Sequence, residues 1–183
     1  MIFLFATELE AELLRKNCPT AHIEICGVGA VAFGASLARI LSTSYKGEHL
    51  ILAGIAGSYD LNDVAICEVV EVVSEQVCAL PAKYAKRYTL QPSTTLRAVT
   101  SNSVNGDTES QKINNLEPRP QIESMEGAAF MAICQELKIR ATEIRAISNH
   151  VGEHFTKWRV NDALEALTAE LVSLATDSLK DRC

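Results

Sequence analysis

The chain has no long hydrophobic run, no surplus of positive charge and no closely paired cysteines, and each absence removes a class of function. No apolar stretch reaches the roughly 18 residues that a membrane helix needs, so no span is expected. Acidic residues outnumber basic ones 23 to 17, giving a net charge of -6 and a pI near 5.3. Nucleic acid is therefore not an expected partner, because binding its phosphates needs a basic face. That balance is still compatible with a basic pocket for one small anion. Cysteines stand at 18, 26, 67, 78, 134 and 183 with no CxxC spacing. The apolar start, Met1 to Ala6, has no basic segment before it and is interrupted by Thr7 and Glu8, so no signal peptide is expected. Reduced cysteines, several of them buried, in a cytoplasmic protein are the expectation. His150 and His154 lie four residues apart, but Gly152 between them spoils a helical pairing, so no metal site is expected.

What is present is an ordinary globular composition. With 183 residues, 48% hydrophobic and 22% charged, residues 1–183 suit one domain with a full core. Short apolar runs read as buried strands at Met1–Ala6, Ala21–Cys26, His49–Ala53, Val64–Val73, Arg97–Ser101 and Thr142–Ser148. Helical spacing follows Thr7 and covers Val31–Leu41, Gly127–Leu137 and Asn161 to about Leu179. In the last of these, Leu164, Leu167, Leu171, Leu174 and Ala175 share a face. The alternation predicts an α/β fold with a mainly parallel or mixed sheet. Ser74–Leu96 and Ser101–Gln121 read as irregular, the second holding the loop signals Asn105-Gly106-Asp107 and Pro118-Arg119-Pro120.

Two segments carry the chemistry. Glu123-Ser124-Met125-Glu126-Gly127-Ala128-Ala129 reads as the opening of an apolar helix, and Ile144-Arg145-Ala146-Ile147-Ser148-Asn149 as a strand ending in polar residues. In open α/β sheets ligands bind beyond the C-terminal ends of strands. A carboxylate and an amide placed there can hold a polyol and a heterocycle. Glu126 is either a helix-end carboxylate favoured by the macrodipole or an acceptor for a vicinal diol, each such bond worth roughly 1.5–3 kcal/mol. Asn149 either forms an Asx turn or faces the edge of a heterocycle. Thr7-Glu8-Leu9-Glu10 has the form of a capping box, which on its own favours Glu10 as a cap over a general base. Gly27-Val28-Gly29 serves either close packing or an anion or ribose at a helix N-terminus. It does not meet the dinucleotide GxGxxG spacing. Gly54-Ile55-Ala56-Gly57 reads as the close of the central strand, its glycines giving a turn, an approach to a flat ligand, or both.

Together these pieces resemble the purine nucleoside phosphorylase and nucleosidase superfamily. Ser124-Met125-Glu126-Gly127-Ala128-Ala129 followed by Arg145-Ala146-Ile147-Ser148-Asn149 is the most specific match. Gly27-Val28-Gly29, Gly54-Ile55-Ala56-Gly57 and Ala6-Thr7-Glu8-Leu9-Glu10 match further motifs in the right order. The likeness runs from residue 1 to about 170 and is weakest between Ser74 and Leu96. Ile147-Ser148-Asn149-His150-Val151-Gly152, then Trp158-Arg159-Val160, are most similar to the futalosine hydrolase family, which cleaves futalosine to hypoxanthine and dehypoxanthine futalosine in menaquinone biosynthesis. The resemblance implies a three-layer α/β/α fold with a mixed twisted sheet, a homodimer, a small nucleoside substrate and no cofactor. It implies that Glu126 binds the ribose hydroxyls, Met125 packs under the sugar, Glu10 activates water and Asn149 holds the departing base. Gly29, Ala56 and Gly57 would border the substrate. Adenine-releasing relatives carry aspartate at the position of Asn149. The alternatives are nucleosidases for methylthioadenosine, S-adenosylhomocysteine or aminodeoxyfutalosine, a purine nucleoside phosphorylase, and an inactive nucleoside-binding member. Two departures stand out. The chain is shortened after Asn17 and after Val73, and Cys67 replaces a usual glycine. The benzoate of futalosine calls for a cation, for which Lys83, Lys86, Arg87, Lys157 and Arg159 are candidates.

Overall fold

The computed structural model describes residues 1–77, 80–81, 83–84, 86–105 and 119–180, with side chains to 176. Gly106, Asp107 and Pro118 of the loop signals, and Cys78 and Cys183, lie outside the described residues. The elements run β1 (Ile2–Phe5), α1 (Glu8–Asn17), β2 (His22–Ile25), α2 (Gly29–Thr43), β3 (Leu50–Ser58), β4 (Val69–Gln76), β5 (Arg87–Thr89), β6 (Arg97–Ser103), β7 (Ile122–Ser124), α3 (Gly127–Glu136), β8 (Ala141–His150) and α4 (Val160–Lys180). A 3-10 turn, Phe155–Lys157, precedes α4.

The continuous apolar strands are explained by cores on both faces of the sheet. In β1, Ile2 and Leu4 join one core and Phe3 and Phe5 the other. The first core takes Phe33, Leu37 and Ile40 from α2 and Phe130, Met131 and Cys134 from α3. Phe33 and Phe130 meet edge-on, with ring centroids 6.2 Å apart. The second takes Ala11 and Leu14 from α1 and Ala163, Leu164, Leu167 and Leu171 from α4. Cys26 and Cys134 are buried free thiols, pushed up to about 12 chiefly by that burial.

The sheet differs from the open layer expected. It runs β2-β1-β3-β7-β6-β4-β5, and β8 pairs with both β3 and β4. β3 is parallel to β8, β8 antiparallel to β4, β4 parallel to β6, β6 parallel to β7, and β7 antiparallel to β3. Five strands therefore close into a barrel-like ring. The ten residues of β8 are long enough to serve two neighbours, and twist carries the sheet round until β7 joins its ends.

Three local expectations also change. Gly54 to Gly57 is not a turn: β3 continues through it to Ser58, because the strand must reach β7 at Gly57 and Ser58. β4 starts at Val69 rather than Val64, and β5 lies inside the stretch read as irregular. Ile122–Ser124 is a strand, so α3 opens at Gly127. Cys67 has a left-handed backbone with φ of 65°. That conformation costs a residue with a Cβ about 1–2 kcal/mol. It is held by its N–H donating to Ile147 O at 2.8 Å.

Candidate active site

A cleft of about 630 Å³ opens where β1, β3 and β8 end. Six of the seven residues singled out in the sequence line it: Glu10, Ala56, Gly57, Met125, Glu126 and Asn149. Gly29 does not. It acts one step back, donating its N–H to Glu126 Oε1 at 2.9 Å. Its φ of 83° turns that N–H out of the helix start.

Glu126 is 4% exposed and caps no helix with its side chain. Its second oxygen, Oε2, accepts from Arg145 Nη2 at 3.4 Å. Glu10 makes both halves of the capping box: its N–H donates to Thr7 Oγ1 at 3.3 Å, and its Oε2 accepts from Thr7 N at 3.0 Å. It also does something a cap does not need, since Oε1 accepts from Ile55 N at 3.1 Å. One carboxylate thus ties α1 to β3 and still faces the cleft.

Arg145 is not among the candidate site residues of the sequence, and among the described residues it is the largest fully buried side chain. Its Nε donates to Glu143 Oε1 at 2.9 Å. Burial opposes its charge, but the carboxylates of Glu143, Glu126 and Glu10 outweigh it and hold the guanidinium protonated. The signal was available: Glu143 and Arg145 are two apart in an apolar strand, hence on one face. Gly54 makes room for this group. A Cβ there would stand 2.7 Å from both Arg145 Nη1 and Glu10 Oε1. Gly54→Ala should therefore cost about 1–3 kcal/mol by overpacking, read as a lower denaturation midpoint. An unchanged midpoint would show that the cluster is slack.

Asn149 is aimed by a bulge. β3 and β8 pair Ala56 with Ile147 but Gly57 with Asn149, so Ser148 is the extra residue. Ser148 Oγ donates to Asn149 Oδ1 at 2.7 Å, and Asn149 Nδ2 donates to His150 O at 3.0 Å. This orients the amide and leaves one of its two N–H groups for a ligand. A Cβ on Gly57 would stand 3.0 Å from that nitrogen, so this glycine too is needed for space.

The remaining wall is apolar or acidic. Leu9, Val28, Phe155 and Trp158 line it, the two rings 5.3 Å apart between centroids. Its charged lining residues are Glu10, Glu123, Glu126 and Glu153. Among the described residues none of Lys83, Lys86, Arg87, Lys157 and Arg159 lines the cleft, and Arg159 pairs with Asp162. Among the described residues, too, no group of three or more His, Cys, Asp and Glu side chains is placed to hold a metal ion. No described helix is long and apolar enough to cross a membrane.

No family model matches the chain. Over 47 residues it is 47% identical to a futalosine hydrolase of Thermus thermophilus, a match covering 25% of this chain and 21% of that enzyme. Its fold is similar to that of an MTA/SAH nucleosidase, with TM-score 0.79 and 14% identity over 96% of this chain and 93% of the other. It is equally similar to a futalosine hydrolase mutant of Helicobacter pylori, with TM-score 0.80 and 14% identity over 96% and 98%. A 5'-methylthioadenosine/S-adenosylhomocysteine nucleosidase of the same organism, solved with butyl-thio-DADMe-Immucillin-A, gives 0.80 and 14% over 96% and 97%. At such identities the likeness is one of fold.

Proposed function

We propose, for a chain whose fold is that of the nucleoside phosphorylase and nucleosidase superfamily, that it hydrolyses the N-glycosidic bond of a purine nucleoside. The observation that carries this reading is Glu126 and Asn149 lining one cleft, the carboxylate fixed by Gly29 N–H and Arg145. Cleavage of such a bond passes through an oxocarbenium-like state. A buried carboxylate whose two oxygens are already oriented accepts the ribose hydroxyls and stabilises that cation. Glu10 takes the proton of the attacking water, and Met125 packs under the sugar. The free N–H of Asn149 donates to the leaving purine. The domain spans 1–183, and the apolar side chains exposed at the rim, Leu9, Val28 and Phe155, suit a second copy in a cytoplasmic homodimer.

Futalosine is the finer reading, with hypoxanthine as the released base. It is supported by the amide at Asn149 and by the 47-residue likeness. An adenine-releasing, methylthioadenosine-type activity is the second reading. The acidic and apolar lining favours it, since no described cation meets a benzoate there. Product analysis without phosphate decides between them. Hypoxanthine from futalosine supports the first reading and adenine from methylthioadenosine the second. Strict phosphate dependence would mark a phosphorylase, and binding of nucleosides with no cleavage would mark a nucleoside-binding protein. Asn149→Asp should raise the preference for 6-aminopurines over 6-oxopurines about tenfold or more, the worth of one charge-assisted bond. An unchanged ratio of kcat/KM would remove Asn149 from base selection.

A further inference from the structure

We infer that Glu143 is a positioning residue for Arg145, and that Glu143 and Glu75 share one buried proton that keeps Arg145 turned toward Glu126. The first part rests on geometry. A guanidinium is planar, so a bond at Nε fixes where its other two nitrogens point. Glu143 Oε1 takes Arg145 Nε at 2.9 Å, and Nη2 is thereby presented to Glu126 Oε2 at 3.4 Å. Nη1 is left beside Gly54, where a Cβ would also meet Glu10 Oε1. Glu143 is fully buried and does not line the cleft, so it acts through Arg145 rather than on a ligand.

The shared proton follows from crowding. At the start of α3, Glu75 Oε1 and Glu143 Oε1 converge on the space that a Cβ of Gly127 would occupy. Two adjacent carboxylates out of water do not both ionise. Glu75 accepts from Ser103 Oγ at 2.9 Å and from Ser124 Oγ at 3.3 Å. Glu143 Oε2 is buried with no hydrogen-bond partner, the state of a carboxyl that is poorly compensated as an anion. Burial, and then the charge of Glu143, push Glu75 up to about 8; burial raises Glu143 as well, against the pull of Arg145. The other groups facing the pair are Glu126, ahead of α3, and Cys134 on α3, whose thiol is held neutral. Glu10 reaches it only through Arg145. When the shared proton leaves, a second anion draws Arg145 off Glu126.

The inference rests on the nucleosidase reading for its kinetic arm and not for its spectroscopic one. In the parent, kcat should fall as pH rises through about 8. In E75Q no second anion can form, so that limb should vanish or move up by more than about one unit. E143L should lower kcat about tenfold with little change in KM, and E143Q, which keeps an acceptor for Nε, should restore most of it. Infrared spectroscopy should show a protonated carboxyl band at neutral pH that titrates near 8 and is absent from E75Q. Stability should fall as pH rises from about 4.5 to about 8, because the unfolded chain releases the Glu75 proton first, and E75Q should remove that slope. The same alkaline limb in E75Q, an E143L with the parent kcat, or no such band would each overturn the inference. If E143L does not fold, E75Q and E143Q decide through the pH profile and the band. If no nucleoside is cleaved, the proposed function falls while the band still decides the shared proton.

Discussion

Glu126→Gln is expected to fold as the parent does and to lose about 10²- to 10³-fold in kcat, the usual cost of one preorganised electrostatic group. The amide keeps one oxygen for Gly29 N–H, whose 2.9 Å bond ties the first residue of α2 to the residue before α3. What it loses is the charge that faces Arg145 and that, on the proposed function, stabilises a developing cation. Its NH₂ also meets the Arg145 donor that the parent carboxylate accepts. Circular dichroism and thermal melting check the fold, and single-turnover kinetics the chemistry. Near-parent turnover would end the ribose role of Glu126.

Glu10 gives the second large effect, and its substitution separates the cap that the structure shows from the proposed general base. Glu10→Gln keeps one acceptor oxygen, for Thr7 N–H or for Ile55 N–H, and turns its NH₂ toward the other, so one of the two ties survives. It cannot take a proton from water, and kcat should fall about 10²- to 10⁴-fold, while stability falls by the worth of one hydrogen bond, about 0.5–1.5 kcal/mol. Glu10→Ala removes the tie as well and should cost a further 0.5–2 kcal/mol or so of stability. A Glu10→Gln protein with parent activity would leave Glu10 a cap and nothing more.

Much of this site was legible because it depends on short-range rules. The capping box at Thr7 and Glu10, the apolar runs of β1 and β8, and the helix after Glu126 all follow from local spacing. Ring closure was not legible. It depends on pairings between β3, β4, β6, β7 and β8 that are far apart in sequence, two of them through a strand of three residues. Gly54 and Gly57 leave a turn and a close approach both open in the sequence, because glycine signals either. The structure shows close approach, to Glu10 and Arg145 at one and to Asn149 and Val151 at the other. Gly29 was placed against the substrate and instead orients the carboxylate. Glu143 and Arg145 were hidden inside what looked like an apolar strand, although a pair of charges two residues apart there is itself a sign of a buried ionic group.

β7 sets the positional tolerance of the site. It pairs through two residues with β3 and three with β6, and Met125 and Glu126 follow it directly. A slip of one residue would shift Glu126 by about 3.3 Å and turn Ser124 to the other side, past the reach of Gly29 and Arg145. A strand at the edge of an open sheet can slide alone, since only one seam resists. In a closed ring an offset at one seam has to be matched at the other, so a strand this short is located from two sides at once. The alignment of Glu126 is therefore a property of the circuit, and it is no looser for the brevity of the strand that delivers it.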